Sequence, residues 1–256
     1  MKTSFLDQIV ARRRAHLATS DRTAREMPRR DPAHRFQEAL RARDGAAIIA
    51  EFKRASPSLG EIRAGANAAQ VIALYEAGGA TAISVLTEPD FFKGSLDDLH
   101  LARATTSLPI LRKDFIIDEI QITEAAAAGA DAILLIVAAL TDAELSGFRA
   151  LAEEKLGLDA LVEVHDAQEM ERAIESGAKL IGVNNRNLRT FVTSLETSIE
   201  LAALAPPGAT LVSESGISSR ADIERLQKCG YRGFLIGESL MRAADPVALL
   251  ESLRHA

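Results

Sequence analysis

Eight short aliphatic runs, each closed by polar residues and followed by a helix-like segment, limit the folds open to this chain. The runs are Ala47–Lys53, Ala82–Glu88, Pro109–Phe115, Ala132–Ala138, Asp159–His165, Lys179–Asn185, Thr210–Gly216 and Gly233–Glu238. Helical patterns between them include Ala66–Ala77, Asp118–Ala128, Asp142–Leu156, Ala167–Ser176, Ser219–Cys229 and Pro246–Leu253. Thr141 and Glu144 have the spacing of a capping box. Gly78, Gly129, Gly177 and Gly230 follow helical segments, where a left-handed C-cap suits glycine. Strands that alternate with helices imply a parallel sheet buried on both faces. Eight such units in about 200 residues fit a closed α/β cylinder, the (β/α)8 TIM barrel. An open doubly wound sheet is the alternative, but no GxGxxG turn follows the first run.

The 256 residues are expected to form a single barrel domain over 1–256, of which 1–44 is an N-terminal helical extension. Within that extension Phe5–Leu17 and Ala33–Arg43 read as amphipathic helices, separated by the charged stretch Asp21–Asp31 with Pro28. The extension either pads the barrel surface or forms a partial lid over one mouth. A formal net charge of −6 argues against general nucleic-acid binding, which calls for a basic face. The longest apolar run, Ala132–Leu140, is too short to cross a bilayer, and the N-terminus lacks the order of a secretory signal. Cys229, the single cysteine, permits no internal disulfide, and a cytoplasmic location is expected.

In a barrel, alternate residues face the interior, and the active site sits at the C-terminal ends of the strands. This parity points Glu51 and Lys53 inward at the end of the first run, and Lys113 and Phe115 at the end of the third. The later runs contribute Glu163 and His165, then Asn184 and Arg186, then Glu214 and Gly216, then Leu235 and Gly237. Two lysines, three glutamates, an asparagine and an arginine thus converge on one mouth. Burying such a set is costly unless its members pair or serve a ligand. Gly216 and Gly237 lie where barrels often bind phosphate on backbone N–H groups and short helix N-termini. Phe91 and Phe92 either wall an aromatic substrate or simply pack. The histidines, His165 among them, show no metal-ligand spacing and receive no catalytic assignment.

The stretches "IIAEFKRASPSLGEI", "ISVLTEPDFFKGS", "PILRKDFIID", "LVEVH", "IGVNNRNL", "SESGI" and "FLIGESLM" lie within residues 48–242. Through them the chain resembles the indole-3-glycerol phosphate synthase family. That resemblance implies conversion of 1-(2-carboxyphenylamino)-1-deoxyribulose 5-phosphate into indole-3-glycerol phosphate, carbon dioxide and water. It implies no metal and no organic cofactor. The expected partner is this phosphorylated small molecule, with no nucleic acid or membrane, and other tryptophan-pathway enzymes are admitted as partners. Lys113 matches the general acid, Glu163 a second proton-transfer group, Lys53 an anion-binding lysine that assists dehydration, and Glu51 its partner. Asn184 completes the catalytic set. Ser56, Phe92, Phe115, Leu134, Arg186, Leu188, Glu214, Ser215, Gly216, Leu235, Gly237 and Glu238 fall at substrate-binding positions. Glu238 stands where some relatives carry a small hydroxyl residue, and parity points its side chain away from the interior.

Two alternatives accompany this reading. A phosphoribosylanthranilate isomerase would want a cysteine and an aspartate at strand ends, whereas Cys229 falls in a helix. A non-catalytic phosphometabolite-binding barrel would be expected to have lost rim residues, and the matched set is intact. On chemical grounds, crowding Lys53, Lys113 and Arg186 would lower lysine pKa values, while Glu51 and Glu163 oppose that shift.

Overall fold

The computed structural model describes residues 4–19, 31, 33–57, 60–187 and 190–254. The segment Ser20–Arg30, Ser58, Leu59, Leu188 and His255 therefore lie outside the described residues. Each expected run holds a strand: β1 Ala47–Phe52, β2 Ala82–Leu86, β3 Ile110–Lys113, β4 Ala132–Ile136, β5 Asp159–Val164, β6 Leu180–Asn184, β7 Thr210–Glu214 and β8 Tyr231–Ile236. They form a closed parallel barrel in chain order. β1 seals it by pairing with both β2 and β8, so that Glu51 lies beside Ser84 and Ala50 beside Ile236. The fold is a TIM barrel.

The helices are α1 Phe5–Thr19, α2 Arg35–Ala42, α3 Ala68–Ala77, α4 Pro89–Phe92, α5 Leu96–Thr105, α6 Glu119–Ala127, α7 Asp142–Ala150, α8 Ala167–Glu175, α9 Glu196–Ala202, α10 Arg220–Gln227, α11 Glu238–Arg242 and α12 Pro246–Arg254. Their starts follow local chemistry. Asn67 and Asp166 accept hydrogen bonds from Gln70 N and Glu169 N, and the Thr141–Glu144 capping box forms. Two expectations need correction. The left-handed residue after α3 is Gly79, at φ +79°, because Gly78 is still helical at −73°. The helix expected over 142–156 is α-helical only to Ala150 and continues as a π turn over Leu151–Leu156.

Strand alternation divides the apolar residues into two cores. Ile48, Ile83, Val85, Ile133, Leu135, Val162 and Ile181 face outward against the helices. Ile49, Leu111, Leu134, Leu161, Val212 and Leu235 fill the cylinder. The N-terminal extension serves both ends of that cylinder. From α2, Phe36 and Leu40 join the inner core beside Ala47, Ala82, Ala132 and Leu180, where strands begin. Polar anchors hold α2 there: Arg35 pairs with Asp131, while Gln37 N–H donates to Asp159 at 2.8 Å. At the opposite end α1 crosses the strand C-termini.

Candidate active site at the C-terminal mouth

The strand ends open into a cavity of about 460 Å³. Its wall takes in the expected catalytic positions Glu51, Lys53, Lys113, Glu163 and Asn184. It also takes in Ser56, Phe92, Phe115, Leu134, Arg186, Ser215, Gly216, Leu235, Gly237 and Glu238. Glu214 is brought to the same place but stands behind Lys113 rather than on the wall, with 1% of its surface exposed. Phe115 lies beyond the last residue of β3 and still reaches the cavity, its ring 6.1 Å from that of Phe92.

Two lysine–glutamate groups share this space. Lys53 Nζ lies 2.5 Å from Glu51 Oε1. Lys113 Nζ donates to Glu214 and lies 3.5 Å from Glu163 Oε2. Asn184 accepts from Arg186 N–H and the Ser215 hydroxyl, each at 3.0 Å, which turns its amide N–H toward Glu163. Burial alone would pull the Lys113 ammonium down, but Glu214, Glu163 and Glu51 outweigh it and the pKa rises. The opposing influences foreseen for the lysines therefore resolve upward at Lys113. Burial pushes Glu214 up to about 7, reinforced by Glu163 and Glu51 and opposed by Lys113. Glu163 is held below the usual carboxylate range, since Lys113 and His165 outweigh the penalty of burial.

One position, Glu238, differs from expectation, and three others show why their residues are needed. Gly237 has a φ of −125°, so its need for glycine is not a left-handed turn. A Cβ there would overlap the Glu51 carboxylate and lie 2.9 Å from its Cδ. Gly237 thus makes room for a buried side chain, besides any approach of its backbone to an anion. Glu238 does not point away from the mouth. It is the first residue of α11, where strand parity no longer applies, and its carboxylate lies 4.0 Å from Arg186 and 3.6 Å from Arg242. At Ser215 and Gly216 the chain adopts two consecutive left-handed residues, φ +66° and +78°.

Of the extension, expected either to pad the barrel or to form a partial lid, α1 lies at this mouth, where its Phe5, Leu6 and Ile9 line the cavity. Phe5 meets Phe91 edge-on at 5.0 Å and Phe191 at 5.5 Å. Arg13 anchors the helix through Asp114 Oδ2 at 3.0 Å, an oxygen shared with Thr87 and with the buried Arg112. Sequence reasoning missed Phe191, Thr193, Ser218, Ser239 and Arg242 on the wall. These lie in loops or in the short helix α11, where strand parity gives no signal. Among the described residues no helix is long and apolar enough to cross a membrane, and no group of three His, Cys, Asp or Glu side chains is placed to hold a metal. Cys229 follows α10, and its thiol donates to Arg225 O.

Residues 6–253 match the indole-3-glycerol phosphate synthase family. A relative of that name from Desulfosudis oleivorans is 53% identical over 88% of this chain and 86% of its own length. Another, from Koribacter versatilis, is 50% identical over 98% of this chain and 99% of its own. Among solved structures, thiamine phosphate pyrophosphorylase from Pyrococcus furiosus superposes with a TM-score of 0.60 at 18% identity, covering 81% of this chain and 93% of that one. At that identity the likeness speaks for the barrel alone.

Proposed function

The chain belongs to the indole-3-glycerol phosphate synthase family, and from that premise we propose how its mouth divides the work of the family's ring closure. The reaction is a carboxy-lyase step of tryptophan biosynthesis acting on a phosphorylated small molecule. The aryl carbon bearing the carboxylate attacks the ketone carbon, the ketone oxygen takes a proton, carbon dioxide leaves, and the new hydroxyl departs as water.

The observation that carries the assignment is Lys113, a cavity-wall ammonium set between the buried carboxylates Glu163 and Glu214. At neutral pH it is charged, and it yields its proton to an oxygen that is becoming an alkoxide, a far stronger base than the starting ketone. Glu214, with its pKa near 7, supports Lys113 from behind. Glu163 is ionised and faces the cavity beside Asn184, suited to stabilising the cationic ring intermediate and to accepting a proton during rearomatisation. Lys53, held by Glu51, meets the substrate's anionic groups and protonates the departing hydroxyl. The left-handed pair Ser215–Gly216, with Ser56 and Gly237, receives the phosphate, and Arg186 offers a cation beside it. Phe92, Phe115, Leu134 and Leu235 enclose the aromatic ring, with α1 above them. Holding the two reacting carbons in contact supplies a further part of the rate.

Residues 1–256 act as a single barrel unit, with 1–44 as the extension, in the cytoplasm beside other enzymes of tryptophan synthesis. The test is to mix purified protein with the carboxyphenylamino-ribulose phosphate and follow indole fluorescence. A rise that scales with enzyme and is abolished in Lys113→Ala is expected; absence of a rise with native protein would overturn the assignment.

A further inference from the structure

Beside Glu163 lies a group that the ring closure described above leaves unused. His165 follows it by two residues, immediately past the end of β5, and is not itself on the cavity wall. Its Nε2 is 3.3 Å from Glu163 Oε1, while Lys113 approaches the other oxygen, Oε2. On its far side, Nδ1 lies 2.9 Å from Glu169 Oε2, in the first turn of α8. We propose that His165 is a positioning residue for Glu163, a fixed imidazolium that holds one carboxylate oxygen and leaves the other to Lys113 and the substrate.

The contacts select the charged ring. Ionised Glu169 can only accept, so Nδ1 carries a proton. A ring with no second proton would turn the Nε2 lone pair toward a carboxylate oxygen, which is repulsive. The imidazolium satisfies both neighbours. A purely local role does not require the ring, because Glu169 caps α8 through the backbone N–H of residue 165, at 2.8 Å. The Nε2 hydrogen is off the line to Oε1, so the contact is an ion pair with orientation left to tighten. Glu163 is also faced by Lys113 from β3 and by Glu214 from β7, and the two carboxylates oppose one another's ionisation. Without the imidazolium, Lys113 alone would offset both Glu163 and Glu214.

This inference rests on Glu163 acting as an ionised proton-transfer group. The pH profile of kcat with saturating substrate separates the two ideas. In His165→Gln, which retains a donor but no charge, the acid limb moves to higher pH by about 1–2 units, as for a carboxylate losing a neighbouring cation. Plateau kcat falls less than tenfold and KM stays within about twofold. His165→Lys, which restores a cation, returns the limb toward the native position. An unmoved limb in His165→Gln overturns the proposal, as does a limb in His165→Lys displaced as far as in His165→Gln. Should both variants fail to fold, NMR titration of the native protein decides: His165 stays an imidazolium beyond pH 8, and titration near the free value of about 6.5 overturns the proposal. Glu163→Gln guards the premise, since native turnover in that variant overturns both ideas, whereas its loss with an unmoved limb in His165→Gln overturns the histidine alone.

Discussion

Gly237→Ala tests the packing beneath the mouth. The added Cβ would stand 2.9 Å from Glu51 Cδ and 3.1 Å from Glu51 Cβ. Ordinary contact begins at 3.4 Å, so the carboxylate carbon must retreat by about 0.5 Å, and the oxygen nearer the glycine by about twice that. Glu51 is 2% exposed and has little room to yield. Moving it opens the 2.5 Å pair with Lys53 and displaces that ammonium from the substrate. A misplacement of about 1 Å costs on the order of 10²-fold in rate. Overpacking of this kind costs about 1–3 kcal/mol in stability. Steady-state fluorescence assays of indole formation and urea midpoints read the two effects. If Gly237 matters through Glu51, then Gly237→Ala costs much less in a Glu51→Ala background, where the clashing carboxylate is gone. Native kcat/KM in the single variant, or an equal penalty in both backgrounds, would refute the argument and leave Gly237 to the phosphate alone.

Lys113→Ala should lower kcat by ~10²–10⁴-fold with little change in KM, whereas Lys53→Ala should raise KM as well, which initial-rate kinetics distinguish. Phe36→Ala, which empties the plug at the far end of the barrel, should cost about 3–5 kcal/mol by urea unfolding while kcat of the folded protein persists. Arg13→Ala removes a charge-assisted bond worth about 1.5–3 kcal/mol, yet leaves Asp114 paired with Arg112 and Thr87. Amide exchange in α1 should therefore quicken by about 10–100-fold with the barrel strands unaffected; uniform change would refute a local latch. Glu163 and Glu169 raise His165 to about 10 against the pull of burial. The stability this confers is fully present below its unfolded value near 6.5 and is lost as pH rises toward 10. The urea midpoint of the native protein should fall across that window more steeply than that of His165→Gln.

Period-two alternation and regular spacing made the barrel legible, because a strand shows its two faces in its own residues. The same parity by itself brings Glu51, Lys53, Lys113, Glu163, Asn184 and Glu214 to one end of the cylinder. It lost its hold where strands stop: Glu238 turned toward Arg186, and Phe191 and Arg242 joined the wall unforeseen. The division of the extension between the two mouths also lay beyond it, since an amphipathic pattern says that a helix has an apolar face but not what covers that face.

What the residues determined alone, then, was which groups share a side of the sheet, for that depends on bonds between near neighbours in the chain. What the tertiary structure decided was the sign of each charge's environment. Whether Lys113 is driven up or down depends on distances to Glu163 and Glu214, which lie 50 and 101 residues away and become neighbours only when the cylinder closes.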